Sequence, residues 1–451
     1  MSNTYLQLYR DKLITAEKAA RLVQSGDTLM YATFLGRPDD FDIALAQRRD
    51  ELKDVKIFMC GVLDEPVPQT PLIDPLHEHF TCSSWFFGGM DRKLHDQNRM
   101  FYCPCIFTQL QDIIGSDFFT LDIYVQQVSP MDDYGFFSFG PANTYSLESC
   151  YKANTVILEV NENVPRVPGG SEDSIHISMI DYVIEGSNKP LYEIPQNVAI
   201  SDADRAMAKI LLEEMEDRSC LQLGIGALPN TLGDLLAHSD LKDLGIHTEM
   251  YADSMTKLFD QGIVTNKYKR TDRGKIAFSF ALGTRGSYDF MNNNPLMASH
   301  CGRFTNDPNV IGSNDKMVAI NNVLEVDLFS QVCSESAGTR HVSGTGGQVD
   351  FVLGAFKSHG GKSFLCLAST YENKKGEIKS RIVPTLQPGG IVTTPRTAVD
   401  YIVTEFGKAR LKGCPTWRRA ELLIEIAHPM FRDELIKEAD RMKIWRKTNK
   451  I

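Results

Sequence analysis

Between Cys220 and Glu249 the chain reads strand, glycine loop, helix, strand. Cys220 to Leu223 is a short apolar strand and Gly224 to Pro229 (GIGALP) a loop. Asn230 to Ala237 reads as a helix and Ile246 to Glu249 (IHTE) as the next strand. Strands joined by a helical crossover run parallel, and parallel sheets are covered on both faces. This one segment therefore commits the chain to an α/β architecture. Asp27 to Thr33, Val55 to Met59, Leu121 to Val128 and Thr155 to Val160 agree with it. They are short apolar runs without strict alternation, as strands buried on both faces require. Thr15 is placed to cap a helix over Ala16 to Gln24, with Glu17 in its first turn and Gly26 as its stop.

At 451 residues the chain exceeds one ordinary core, so two domains are expected. The pattern resets near Tyr192 to Ser201, where Ser201 reads as an N-cap with Asp202 and Asp204 at the positive end of a helix dipole. We expect an N-terminal α/β domain over 1–193 and a C-terminal α/β domain carrying Glu249 over 194–451. Further strands are predicted at Lys275 to Ala281, Met317 to Ile320 and Phe364 to Ala368, and helices over Arg418 to Lys443 with a break at Pro429. Both halves contain an apolar strand entering a Gly/Pro turn, YATFLGRP and LQLGIGALP, a hint of related halves. Ser129 to Gly135 (SPMDDYG) is a turn at the carboxyl edge of a strand, where open α/β sheets hold ligands.

A net charge of −10 argues against a nucleic-acid partner but leaves room for a polyanionic ligand held by local N–H groups. No run approaches the roughly 18 apolar residues of a membrane span. Met1 to Arg10 has no apolar stretch behind a basic start, so no signal peptide is expected. The ten cysteines are scattered; Cys103 and Cys105 form a lone CPC pair, a poor metal signal. Thiols in a reducing cytoplasm and no metal site are the expectation.

Gly224 and Gly226 follow a strand but lack the third glycine of a dinucleotide fingerprint, and no P-loop lysine follows. The segment is either a tight strand-to-helix turn or a loop, Gly224, Ile225, Gly226, Ala227 and Leu228, offering N–H groups to a ligand at a helix start. Glu249 closes an apolar strand. It is either a surface glutamate or a carboxylate nucleophile held against an activated acyl group. His247 on the opposite strand face reads as structural. Gly346 and Gly347, in SGTGGQVD, are either a turn or two N–H groups aimed at one developing oxyanion. Lys362 enters a strand and is a better phosphate partner than Lys357. Arg285 and Asn292 to Asn294 either contact ligand or cap turns.

Taken together these motifs resemble the class I CoA-transferases, in the acetyl-CoA hydrolase/transferase branch. The resemblance runs through TAEKAARLVQSGD, QVSPMDDYGFFSFG, SIHISMIDYVIEG, LQLGIGALPN, GIHTEMYADS, SGTGGQVDF, GGKSFLCLAST, IVTTPRTAVDYIVTEFG and IAHPMFRDEL. Phe34-Leu35-Gly36-Arg37 departs from the more glycine-rich loop common there. The resemblance implies two open α/β domains with largely parallel sheets and the active site in the cleft between them. It implies Glu249 as nucleophile, Gly346 and Gly347 as oxyanion donors, and CoA contacts at Gly224 to Leu228, Gly347 and Lys362. No cofactor is then held permanently; coenzyme A is a cosubstrate, joined to Glu249 in a glutamyl-CoA intermediate. The partners implied are acyl-CoA, short-chain carboxylates and further copies of the chain, as a homodimer or higher homo-oligomer. Within the branch, FALGTRGSYDFMNNNP and the length look most like butyryl-CoA:acetate CoA-transferases. 4-Hydroxybutyrate and propionate transfer, or acetyl-CoA hydrolysis, are the alternatives. A non-catalytic CoA-binding subunit is disfavoured by Glu249 and the Gly346-Gly347 turn together, and a dehydrogenase by the missing third glycine.

Overall fold

The computed structural model describes residues 3–196 and 198–449. Met1 and Ser2 of the amino-terminal stretch, Asn197 in the expected boundary region, and Lys450 and Ile451 lie outside the described residues. The chain divides into two compact units. The first takes Met1–Ile194, Glu249–Asp253 and Lys275–Asn306; the second takes Pro195–Thr248, Ser254–Gly274 and Asp307–Ile451. Where the sequence suggests two continuous spans, two later segments return to the first unit, and Glu249 opens one of them.

The first unit is built on a seven-stranded sheet. Its strands are β1 (Thr28–Thr33), β2 (Val55–Cys60), β3 (Phe80–Ser84), β4 (Phe101–Tyr102), β5 (Ile123–Val128), β6 (Thr155–Val160) and β7 (Tyr182–Glu185). They lie in the order β4-β3-β2-β1-β5-β6-β7, and every neighbouring pair is parallel. β1 and β5 are buried at every position, which explains why neither alternates strictly between apolar and polar residues. Alternate residues feed opposite layers: Leu29 and Tyr31 pack into one core, Met30 and Ala32 into the other. The strand order reverses between β1 and β5, so the switch point lies at the carboxyl ends of those two strands. β3, β4 and β7 escaped the sequence reading, because they are short or lack an apolar run. The helix capped by Thr15 spans only Ala16–Ala20; its end tightens into i→i+3 bonds that bury Val23.

One buried carboxylate ties a helix to this sheet. Glu159 on β6 accepts from the N–H groups of Asp39, Asp40 and Phe41 at 2.9, 3.2 and 2.9 Å, capping the helix Asp39–Ala46 from outside its own sequence.

The second unit holds a six-stranded sheet of β8 (Cys220–Gln222), β9 (Gly245–Ile246), β10 (Met317–Asn322), β11 (Lys362–Cys366), β12 (Tyr401–Thr404) and β13 (Gly407–Arg410). The order is β9-β8-β10-β11-β12-β13, parallel except for the closing β12–β13 hairpin. Its switch point falls between β8 and β10. The β8–helix–β9 crossover is the parallel unit expected between Cys220 and Glu249. Ser201 caps the helix Asp202–Leu212 in a capping box with Asp204. Pro429 starts the last helix, Pro429–Arg441, behind a His428 cap. Among the described residues no helix is long and apolar enough to cross a membrane, and none of the ten cysteines is in a disulfide.

β9 is an edge strand, and side chains close it. Ile246 N–H donates to Asn266 Oδ1 at 2.8 Å, and Ile246 C=O accepts from Lys269 Nζ at 2.7 Å. No further strand is needed there, and the chain is free to leave the sheet. Burial pushes the Lys269 ammonium down to about 8 from its ordinary 10.5. Between those values the unfolded chain binds more protons, so Lys269 makes stability rise with pH from about 8 to about 10.5. In urea titrations the stability difference between the wild type and Lys269→Met is therefore expected to widen in favour of the wild type across that window, by up to roughly 3 kcal/mol. A flat difference would mean the ammonium is not held in this way.

Candidate active site

Past Ile246, His247 and Thr248 are fully buried, and Glu249 then begins the five-residue return to the first unit. The strand expected over Ile246 to Glu249 covers only Gly245–Ile246; His247 N–H still donates to the Leu221 carbonyl of β8 at 3.1 Å, and from Glu249 the backbone bonds elsewhere. Met250–Tyr251 pairs in parallel with Phe280–Ala281. The Glu249 carbonyl accepts from the N–H groups of Ser279 (2.9 Å) and Phe280 (3.1 Å). At the far end Asp253 Oδ1 accepts from Thr284 N–H (2.9 Å), Thr284 Oγ1 (3.1 Å) and Ser287 Oγ (2.5 Å). The segment is thus pinned at both ends, and the half-buried Glu249 side chain starts from a fixed backbone.

Asn306 fixes the carboxylate itself. Its Nδ2 donates to Glu249 Oε2 at 2.5 Å, and its own backbone carbonyl accepts from Thr108 Oγ1 at 3.1 Å. Asn306 is fully buried. It lies far from Glu249 in sequence and reads there as a turn residue before Asp307-Pro308, so no local signal marks it. The residue after Glu249, Met250, packs on an apolar cluster of the same unit. Phe34, Leu35, Leu63, Phe107, Phe280 and Leu282 form one buried cluster with Met250 packed against it. A carboxylate held by one amide donor beside such a cluster is equipped to attack an activated acyl carbon.

The glycine segments lie in the second unit. Gly224 and Gly226 follow β8 at the carboxyl edge of the switch point, and Gly226 caps the helix Ala227–Ala237. The helix begins earlier than expected, at Ala227, with Pro229 inside its first turn. Gly226 has φ +117°, open to glycine and strained for other residues. A Cβ added at Gly224 or Gly226 would meet nothing within 4 Å, so the loop borders open space. Ile225 is exposed, Ala227 half-buried and Leu228 buried. The first-turn N–H groups of this helix have no intrahelical partner and suit an anion.

Gly346 and Gly347 form a second entry of this kind. Gly346 has φ +52°, and Gly347 caps the helix Gln348–Lys357. Neighbours anchor the loop: Thr345 Oγ1 donates to Glu335 Oε1 at 3.1 Å, and Gln348 Nε2 to Thr394 Oγ1 at 2.8 Å. It is therefore a built turn, with successive N–H groups at a helix start.

Lys362 does not join these loops. Through β10 it is level with Leu221, three residues before Gly224, or about 10 Å back along the strand direction. Its Nζ donates to Glu214 Oε2 at 2.7 Å, and Lys408 binds the other oxygen of that carboxylate. In this structure Lys362 and Lys408 thus share Glu214 in an ion-pair network. Lys357 Nζ donates to Asn309 Oδ1 at 2.7 Å. Arg285 pairs with Asp289 at 2.8 Å, Asn292 Oδ1 accepts from Arg166 N–H, and Asn294 binds its own turn.

Known proteins resemble this chain over its whole length. The N-terminal domain model of acetyl-CoA hydrolase/transferase matches residues 2–195 and the C-terminal domain model residues 283–439. A probable butyrate:acetyl-CoA coenzyme A-transferase of Syntrophomonas wolfei is 47% identical over 100% of both chains. The butyryl-CoA:acetate CoA-transferase of Anaerostipes caccae is 44% identical over 99% of this chain and 100% of its own. The crystal structure of RipA from Yersinia pestis superposes with a TM-score of 0.88 at 35% identity, covering 98% of this chain and 100% of RipA.

The two loop glycines separate strain from space. Gly226→Ala is expected to lose about 1–2 kcal/mol of stability from its positive φ alone. Gly224→Ala, with no positive φ and no neighbour, should stay within about 0.5 kcal/mol of the wild type in the same denaturation experiment. Equal losses at both positions would contradict the loop conformation.

Proposed function

The chain belongs to the acetyl-CoA hydrolase/transferase family, and from that premise we propose that it transfers CoA between a short-chain acyl-CoA, butyryl-CoA, and acetate, through a thioester on Glu249. The observation that carries the proposal is the pinned carboxylate: backbone bonds from Ser279 and Phe280, and Asn306 on Oε2.

Glu249 attacks the thioester carbonyl of the acyl-CoA, giving an acyl-glutamyl anhydride and CoA thiolate. The thiolate attacks the glutamyl carbonyl, releases butyrate and leaves glutamyl-CoA. Acetate then attacks the glutamyl-CoA carbonyl and expels the thiolate. The thiolate takes the acetyl group from the mixed anhydride, and Glu249 is free again. The thioester bond is conserved in the exchange, so no nucleotide triphosphate is consumed. In this reading the N–H groups of Gly346 and Gly347 stabilise the tetrahedral oxyanions. The Gly224 to Leu228 loop and the following helix start hold the CoA phosphates. Binding energy from that distant nucleotide is then available at the reacting carbon. Coenzyme A is cosubstrate, with no permanent cofactor. The proposal also makes the protein a cytoplasmic homo-oligomer, which fits its largely buried thiols.

Mixing the protein with butyryl-CoA and no acceptor should add one CoA, less water, to the tryptic peptide Asp243 to Lys257, and acetate should discharge it. Consumption of butyryl-CoA without adduct and without response to acetate would instead indicate hydrolysis. Asn306→Ala should lower kcat roughly 10- to 100-fold with KM little changed, the rate equivalent of one hydrogen bond to a charged group. A KM effect alone would place Asn306 in binding.

A further inference from the structure

We propose that Phe34 sets the length of acyl chain that the site accepts, an inference that rests on the acyl-CoA reading above. Phe34 follows β1 directly, at the carboxyl edge where the strand order of the first unit reverses. Open α/β sheets take ligands at that position. Its φ is +41°, a conformation that is costly for a bulky side chain and persists only where the surroundings impose it.

Ring packing imposes it. The Phe34 ring stacks on Phe280 with centroids 4.9 Å apart and planes at 22°, and leans on Phe86 at 6.3 Å. It also lies across Gly61, where an added Cβ would come within 2.1 Å of the ring. These neighbours connect it to the reacting group. Phe280 donates its N–H to the Glu249 carbonyl. Phe107, 6.1 Å from Phe280, adjoins Thr108, which holds the Asn306 carbonyl. Phe34 is therefore part of the apolar cluster on which Met250, the residue after Glu249, packs.

An acyl group on the Glu249 carboxylate would rest its alkyl tail against that cluster. Phe34, Leu35 and Leu63 also line a cleft of about 20 Å³, which turns polar at Arg37, Gln127 and Asn161. A longer alkyl tail would have to displace the ring or enter this small polar space. Phe34→Gly removes the ring and its backbone strain together, so it enlarges the subsite without a conformational penalty at that position.

The test measures loading of Glu249 by acetyl-, butyryl- and hexanoyl-CoA in the wild type, Phe34→Gly and Phe34→Leu, by peptide mass and by kcat/KM. The ratio of hexanoyl- to butyryl-CoA kcat/KM should rise about ten-fold or more in Phe34→Gly, and less in Phe34→Leu. A ratio within about two-fold of the wild type in both variants overturns the proposal and leaves Phe34 a packing residue. If Phe34→Gly does not fold, Phe34→Leu decides by the same ratio, with a rise of about three-fold or more supporting the proposal and a smaller one overturning it. If no acyl-CoA loads wild-type Glu249, the acyl-CoA reading falls first and this inference with it. Loading with an unmoved chain-length profile sinks the subsite alone.

Discussion

Parallel strands joined by crossovers leave an unfilled edge where the strand order reverses, and this constraint organises both units. In the first, the reversal lies between β1 and β5, and the chain turns there through Phe34 to Arg37. In the second, it lies between β8 and β10, and the chain turns there through Gly224 to Leu228. Backbone leaving a strand at such an edge is not needed by a neighbouring ladder, so it can face a ligand. YATFLGRP and LQLGIGALP, similar in pattern, occupy equivalent topological positions in their own sheets.

The two turns use their freedom differently. Gly226 takes a positive φ with open space around it, which suits close approach of a large anion to N–H groups. Phe34 takes a positive φ with a ring wedged between Phe280 and Gly61, which fills space. A positive φ thus serves one open edge and one closed one. The placement of Glu249 depends on a third device, the side-chain closure of β9 by Asn266 and Lys269. With its edge satisfied, the strand stops at Ile246, and the chain carries Glu249 to the bonds of Ser279, Phe280 and Asn306.

Much of this was legible in the sequence. The apolar runs at β1, β2, β5 and β6 announced a parallel sheet, and Ser201 announced its helix, because burial on two faces and capping are local requirements. Short strands such as β4 and β9 were missed or misplaced, since two residues carry too little pattern to stand out. Strand register is equally hidden in the sequence: it sets Lys362 level with Leu221, where its ammonium pairs with Glu214.

By itself the sequence determined the α/β class, the family motifs, Glu249 and the glycine turns, because each is written in neighbouring residues with a local physical signature. Only the tertiary structure decided that Glu249 packs with the first unit, that Asn306 holds its carboxylate, that Glu159 caps a remote helix, and that Phe34 stacks on Phe280. Those pairings join residues distant along the chain, and a hydrogen bond or ring contact across such a distance leaves no periodicity in either segment. They exist because the crossovers and edge closures bring the segments together, and burial then leaves each polar group few other partners.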